Sequence, residues 1–177
     1  MSFFFRVVSI SVWFGAVAQR AACACVILLA TAVGSAPAEA GEAVSFRANY
    51  SAGTIVVKTG ERRLYYVTGD GQALRYRVGV GKAGMQWAGT AQIDGKYIKP
   101  AWASPSDTTR VIPGGSPSNP MGVAALTLSG GQYAIHGTNR PDSIGGFVSL
   151  GCIRMYNQDV MDLFQRVSVG TPVVVTR

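Results

Sequence analysis

Two residues whose side chains can carry out covalent chemistry lie close together in the C-terminal part of the chain. His136 is the only histidine of the 177 residues, and Cys152 follows it sixteen positions later. A cysteine attacks as its thiolate, so a nucleophilic thiol needs a nearby base or positive charge. His136 can supply the base, and Arg154, two residues after the cysteine, can supply the charge. The pattern predicts that Cys152 is a nucleophile and His136 its general base.

Glycines beside both residues support this interpretation. Gly137 offers an uncluttered carbonyl that can orient the imidazole, and Gly151 leaves room for a substrate and lets backbone N–H groups approach a developing oxyanion. The competing interpretation is a small buried cysteine and a structural histidine, as in many proteins. Their uniqueness and their clustering with an arginine favour catalysis. One histidine and one cysteine are too few protein ligands for a metal site, so we expect no metal.

The same segment resembles the signature of a known family. The sequence HGT begins at His136, and the sequence S-x-G-C-x-R runs from Ser149 to Arg154. Together they are similar to the motif of the L,D-transpeptidase catalytic domain, also called the YkuD domain. The likeness extends roughly over residues 54–176 and includes the glycine- and proline-rich stretch 113–122.

This resemblance implies a mainly β, β-sandwich-like fold with one short helix after the catalytic loop. It also implies cell-wall cross-linking without a cofactor. In the family, the cysteine attacks the peptide bond after the third residue of a peptidoglycan tetrapeptide stem, forms a thioester and releases D-alanine. An amine of a second stem, or of a wall-attached protein, then resolves the thioester. Carried over to this sequence, Cys152 is the nucleophile and His136 the base, and the carbonyl of Gly137 orients His136. The residues that shape the substrate and oxyanion site are Ser149, Gly151 and Arg154.

One position departs from the family pattern. Many members have a second histidine directly before the glycine of the cysteine motif, where this chain has Leu150. Any protonation or oxyanion help from that histidine is therefore missing, and the identity of the acceptor stays open. L,D-carboxypeptidase activity and D-amino-acid exchange share the same thioester and remain alternatives.

Other classes of protein fit the sequence less well. Sortase-like transpeptidases use histidine, cysteine and arginine in this order but far apart, and papain-like peptidases place cysteine before histidine. A non-catalytic wall-binding domain would suit the basic charge, yet it would not need His136 and Cys152.

The N-terminal residues are typical of an export signal. An apolar run over 21–33 follows Arg20 and is too short to span a bilayer comfortably. Ala38-Glu39-Ala40 has small residues at both key positions, which predicts cleavage before Gly41. An uncleaved membrane anchor is the alternative. The predicted organisation is a signal peptide over 1–40, a linker over 41–52 and a catalytic domain over 53–177, located in the periplasm or cell envelope.

Cleavage would change both the cysteine count and the charge. Cys23 and Cys25 would leave with the signal, so Cys152 would be a lone thiol in an oxidising compartment. Loss of Arg6, Arg20 and Glu39 leaves 14 basic and 8 acidic residues, a formal net charge of +6. A basic surface in this compartment suits an anionic polymer such as the cell wall, and we expect no nucleic-acid partner.

Alternating and β-branched residues predict strands over 54–58, 63–67, 73–80 and 172–176, with an Asp-Gly turn in 68–71. A second hairpin is expected from 125–128 and 132–136. Residues 41–51 form a polar lead-in. Residues 85–121 are expected to be a long loop that walls a cleft, with Trp87 and Trp102 packed in the core or at the rim.

One helix is predicted from apolar spacing. Val160, Leu163, Phe164 and Val167 follow at helical intervals, and Asn157 precedes them as the expected N-cap.

Overall fold

A computed structural model describes residues 40–130 and 133–177. All but the last residue of the predicted signal peptide lies outside the described residues. This part of the chain contains thirteen strands, one 3-10 turn at Pro141–Ser143 and one α-helix, α1, at Asn157–Arg166. The strands are β1 Glu42–Ser45, β2 Ile55–Lys58, β3 Arg63–Gly69, β4 Gln72–Arg77, β5 Val80–Gly81, β6 Gly89–Ile98, β7 Trp102–Ser104, β8 Asp107–Ile112, β9 Ala124–Leu128, β10 Ala134–His136, β11 Phe147–Ser149, β12 Ile153–Arg154 and β13 Pro172–Thr176.

Nine of these strands form one sheet in the order β1-β4-β3-β2-β13-β6-β9-β10-β12. β6 changes partner along its length, since residues 89–92 pair with β13 and residues 93–98 pair with β9. The register shifts between Ile93 and Gly95, and a bulge of this kind bends a strand. The two halves of the sheet share a hydrophobic core with α1.

That core is built from side chains of both halves. Val57, Leu64, Leu126 and Ile135 are fully buried in it, together with Leu163 of α1. Burying a side chain of this size stabilises the fold by about 1.5–3 kcal/mol. The expected mainly β architecture with one helix is confirmed. Within residues 40–130 and 133–177, no helix combines the length and the apolar character needed to cross a membrane.

Most of the predicted strands are present. Residues 54–58, 63–67 and 172–176 correspond to β2, β3 and β13, and the turn over 68–71 joins β3 to β4. The second hairpin corresponds to β9 and β10, which pair antiparallel. Residues 131 and 132, predicted to belong to its turn and second strand, lie outside the described part of the chain.

The middle of the chain differs from the prediction. Residues 85–121 were expected to form a loop, but they contain β6, β7 and β8. Gly89, Asp94 and Gly95 weaken the strand pattern of β6. Hydrogen-bonded neighbours on both sides stabilise β6 nevertheless, so tertiary pairing overrides local propensity. The polar lead-in likewise contains a strand, β1, which pairs with β4.

The helix is present, but the predicted cap is wrong. Tyr156 occupies the N-cap position without a side-chain hydrogen bond, and Asn157 is the first helical residue. The Asn157 carboxamide is engaged elsewhere, because its Oδ1 accepts a hydrogen bond from the N–H of Thr138 at 2.9 Å. A partner distant in sequence therefore competes successfully with the local cap.

Candidate active site

Strand pairing brings the predicted base and the predicted arginine together. β10 and β12 run parallel at the edge of the sheet, and their register places His136 beside Arg154. Arg154 is held further by two backbone hydrogen bonds of 2.8 Å with Gly79. These bonds explain why the predicted strand 73–80 is interrupted, since Gly79 follows the end of β4 and pairs with β12 instead.

The imidazole of His136 is fixed by its own neighbour. Nδ1 lies 2.6 Å from the carbonyl oxygen of Gly137, and the side chain is buried. A carbonyl oxygen can only accept a hydrogen bond, so Nδ1 carries the proton. In the neutral ring Nε2 is then free to accept a proton from another group. This is the tautomer expected of a general base.

Asn157 supports the segment that carries this carbonyl. Besides accepting from the N–H of Thr138, it donates from Nδ2 to the Thr138 carbonyl at 3.0 Å. A side chain on Gly122 or on Gly137 would come within 2.3 Å of its Oδ1, so both positions need glycine. The sequence pattern did not assign this role to Asn157, because nothing in the linear spacing connects it to residue 138.

The loop before β12 positions Cys152. Ser149 Oγ donates to the Cys152 carbonyl at 2.6 Å and accepts from the N–H of Gly151 at 3.1 Å. On the other side of the loop, Trp87 Nε1 donates to the Gly151 carbonyl at 3.0 Å. Trp87 also stacks on Tyr133, with ring centroids 5.0 Å apart. This aromatic pair gives Trp87 the packing role expected from the sequence.

Arg154 is a half-buried cation beside the site. Its Nη1 donates to Ser143 Oγ at 3.1 Å, whereas its buried Nε has no hydrogen-bond partner among the described residues. Burial lowers the pKa of Arg154, and the neighbouring charge of Arg140 lowers it further. The guanidinium nevertheless remains charged, because arginine titrates far above neutral pH.

The environment keeps both reactive groups neutral at pH 7. Burial, and secondarily the positive charge of Arg154, lowers the pKa of His136 from 6.5 to about 4, against the opposing hydrogen bond to Gly137. Burial raises the pKa of the Cys152 thiol, although a backbone hydrogen bond from Ala134 and the charge of Arg154 act in the opposite direction. Such a pair suits proton transfer during attack, rather than a thiolate formed beforehand.

Three adjoining cavities lie at the site, and Cys152 lines two of them. The central cleft, of about 190 Å³, contains both Cys152 and His136 on its walls. The arginine-lined cavity, of about 490 Å³, lies beside Arg154, and the aromatic cavity, of about 610 Å³, lies on the side of Tyr133. Trp102 forms part of the wall of all three. The segment expected to wall a cleft does so, although as the β7–β8 hairpin.

The structure thus brings the six predicted site residues into one region. Leu150, at the position where many family members have histidine, lines the central cleft and is 55% exposed. Among residues 40–130 and 133–177, no group of three histidine, cysteine or acidic side chains is arranged to hold a metal ion.

Comparison with known sequences identifies a family. A family model described as the YkuD L,D-transpeptidase catalytic domain matches residues 52–175. The probable L,D-transpeptidase ErfK/SrfK of Escherichia coli (strain K12) is 39% identical over 135 residues, which cover 67% of this chain and 42% of that protein. This chain therefore spans less than half the length of that curated relative.

Comparison with solved structures agrees with the fold. The catalytic domain of an E. faecium L,D-transpeptidase acylated by ertapenem matches with a TM-score of 0.55 and 21% identity, covering 70% of this chain and 95% of that one. L,D-transpeptidase 3 from Mycobacterium tuberculosis matches with a TM-score of 0.56 and 15% identity, covering 70% and 60%. At these identities the likeness concerns the fold, and it confirms the expected architecture.

Gly151 provides a test of the packing around the loop. Its φ is +129°, and a Cβ there would lie 2.2 Å from the Tyr133 ring. Gly151→Ala should reduce the free energy of unfolding by about 2–4 kcal/mol, from backbone strain plus overpacking. Gly84→Ala is the matched control, since Gly84 has φ +77° and nothing within 4 Å of its Cβ. If urea unfolding shows the same loss of unfolding free energy for both variants, the Tyr133 ring moves aside without a measurable loss of stability.

Titration tests the neutral pair directly. Because the chain has one histidine, its imidazole NMR signals can be followed without overlap. The folded protein should show a midpoint near 4, and the urea-unfolded protein should return to about 6.5 as a control. Iodoacetamide labelling of Cys152 should keep rising above pH 9.0, the ordinary pKa of the thiol. A labelling plateau below neutral pH together with a histidine midpoint above 7 would indicate an ion pair instead.

Proposed function

Because this chain belongs to the YkuD family of L,D-transpeptidase catalytic domains, we propose that it is an exported enzyme acting on peptidoglycan stem peptides. The reaction proceeds through a thioester on Cys152, with transfer of the acyl group to an amine. The observation that carries this proposal is the imidazole of His136, held by the Gly137 carbonyl, in the same cleft as the thiol of Cys152. The substrates and partners of the whole protein are part of the same proposal.

The first half-reaction uses the free nitrogen of His136. The sulfur of Cys152 attacks the carbonyl carbon of the third stem residue while Nε2 accepts the thiol proton. The carbon–nitrogen bond to the terminal D-alanine then breaks, and the imidazolium returns the proton to the leaving amine. The Gly137 carbonyl, 2.6 Å from Nδ1, stabilises the imidazolium that forms in between.

The second half-reaction regenerates the thiol. An amine of a second stem attacks the thioester carbon and gives its proton to His136, which passes it to the departing sulfur. The product is a 3-3 cross-link, and an amine of a wall-attached protein would react in the same way. Water or a D-amino acid as acceptor would instead give carboxypeptidase activity or exchange.

Hydrogen bonding refines the roles of the loop residues. The N–H of Gly151 is already donated to Ser149 Oγ, and Ser149 in turn holds the Cys152 carbonyl. We therefore assign Ser149 and Gly151 to shaping the loop rather than to direct contact with the oxyanion. The positive charge of Arg154 favours the negative charge that develops at the reacting centre.

Export is proposed from residues 1–40. The apolar run ends before Ala38-Glu39-Ala40, and cleavage there would release a chain starting at Gly41. Peptidoglycan lies outside the cytoplasmic membrane, so a wall-modifying enzyme needs such a signal.

Acylation tests the proposed mechanism. Incubation with a tetrapeptide stem should add the tripeptide acyl mass to the protein and release D-alanine, as followed by intact-protein and muropeptide mass spectrometry. Cys152→Ala should abolish the adduct, and His136→Ala should slow its formation by about a hundredfold. A carbapenem should label the same residue, as ertapenem acylates the E. faecium catalytic domain.

The control for these variants is Leu150→Ala, which changes an exposed side chain of the same cleft. It should retain acylation within a few fold. If folded wild-type protein forms no adduct with either compound, the non-catalytic wall-binding interpretation would replace the enzyme. If Cys152→Ala still forms the adduct, the nucleophile has been assigned to the wrong residue.

The signal can be tested separately. N-terminal sequencing of the protein from its native envelope should begin at Gly41, because small residues at 38 and 40 suit the signal peptidase. A form that keeps residues 1–40 would support a membrane anchor. Ala40→Lys, which places a large charged side chain at the cleavage position, should block processing and serves as the matched control.

A further inference from the structure

The arginine-lined cavity adjoins the reactive cleft and is built from one type of charge. The two spaces share the walls formed by Trp102, Val148 and Arg154. Arg110 and Arg140 line the same cavity as Arg154. Arg110 comes from β8, Arg140 precedes the 3-10 turn, and Arg154 ends β12, so three separate elements bring the arginines together.

None of these three arginines forms an ion pair within the described residues. The ion pairs there involve other basic residues, for example Arg75 with Glu42 at 2.6 Å and Arg166 with Asp162 at 2.8 Å. Asp142 is close enough to influence Arg154, but its effect on the pKa of Arg154 is smaller than that of Arg140. The cavity therefore carries uncompensated positive charge.

An anion bound in the cavity would reduce the repulsion within this cluster. Like charges repel most where burial reduces screening by water, and Arg154 is half-buried. The planar guanidinium group matches a carboxylate, which it can bind through two parallel hydrogen bonds. Asn139 and Ser143 add neutral hydrogen-bonding groups to the same walls. The chemistry of the cavity suits a carboxylate on a flexible, polar substrate.

The aromatic cavity, whose wall includes Cys152, has a different character. It is lined by Tyr97 and Tyr133 and carries a carboxylate, Asp94, which accepts a hydrogen bond from Thr127 Oγ1. A peptide bearing carboxylates is thus attracted on the arginine side and repelled on the Asp94 side. The two sides together give the substrate a preferred direction across the nucleophile.

We propose that the arginine-lined cavity binds a carboxylate of the donor stem peptide, with Arg110 and Arg140 as specificity-determining residues. This inference rests on the proposed function, because it names the part of the donor that the cavity recognises. A stem peptide carries a C-terminal carboxylate and carboxylates on internal residues. Both present the same chemistry, and the two sources can be separated by amidating one or the other.

The test measures acylation of Cys152 by three donor stems. One stem is unmodified, one has its C-terminal carboxylate amidated, and one has its internal carboxylates amidated. The variants are Arg110→Gln, Arg140→Gln and the double variant, which alter exposed side chains. With the unmodified stem, the double variant should raise KM about tenfold, as expected for the loss of charge-assisted hydrogen bonds.

The three stems identify the source of the carboxylate. With the stem that lacks the recognised carboxylate, the wild type and the double variant should have nearly equal KM values. Both values should be close to the raised KM that the double variant shows with the unmodified stem. For the other amidated stem, the tenfold difference should remain. Arg47→Gln, which removes the same charge beside the β3–β4 turn near Gly71, is the matched control and should leave KM unchanged.

Failure of this inference and failure of the enzyme assignment give different results. If wild-type protein is acylated but the double variant has the same KM as wild type with each of the three stems, the cavity does not bind a carboxylate. A rise in KM of the same size with each of the three stems would also overturn the inference, because it would reflect fold or overall charge. If no stem acylates the wild-type protein, it is the proposed function that fails.

Discussion

The hydrogen bond from His136 Nδ1 to the Gly137 carbonyl is the constraint on which the rest of the site depends. It fixes the tautomer, and thereby leaves Nε2 as the nitrogen that can accept a proton. The carbonyl itself is held because Asn157 binds both the N–H and the carbonyl of the next residue, Thr138. Helix α1 therefore contributes more than a packed apolar face, since its first residue braces the strand end that carries the base.

The electrostatics of the site also affects folding. The folded protein holds His136 with a pKa of about 4, whereas an unfolded chain would bind the proton near 6.5. The unfolded state then binds more protons between these values, so this residue makes stability fall as pH decreases from about 6.5 to 4. Asp159 opposes the trend, because burial raises the pKa of its carboxyl to about 6 and favours the folded state as that group protonates.

The sequence predicted the site and the strands best where they depend on a few residues that lie close together in the chain. The reactive pair, the flanking glycines and Arg154 fall within nineteen positions, and strands such as β2 and β13 have continuous β-branched residues. β6 escaped prediction because Gly89 and Gly95 weaken its local pattern, while its pairing with β9 and β13 is a long-range property. The cap at Asn157 failed for the same reason, since its partner is nineteen residues away.

Trp102 couples the three cavities of the site to one another. One indole ring forms part of the boundary of the central cleft, the arginine-lined cavity and the aromatic cavity. Any rotation of that ring changes the shapes of all three spaces at once. The free energy of binding on one side then contains a contribution from what is bound on the other, and linkage requires the effect to be reciprocal. Two substrates that meet at Cys152 would consequently bind in a correlated manner, even without touching each other.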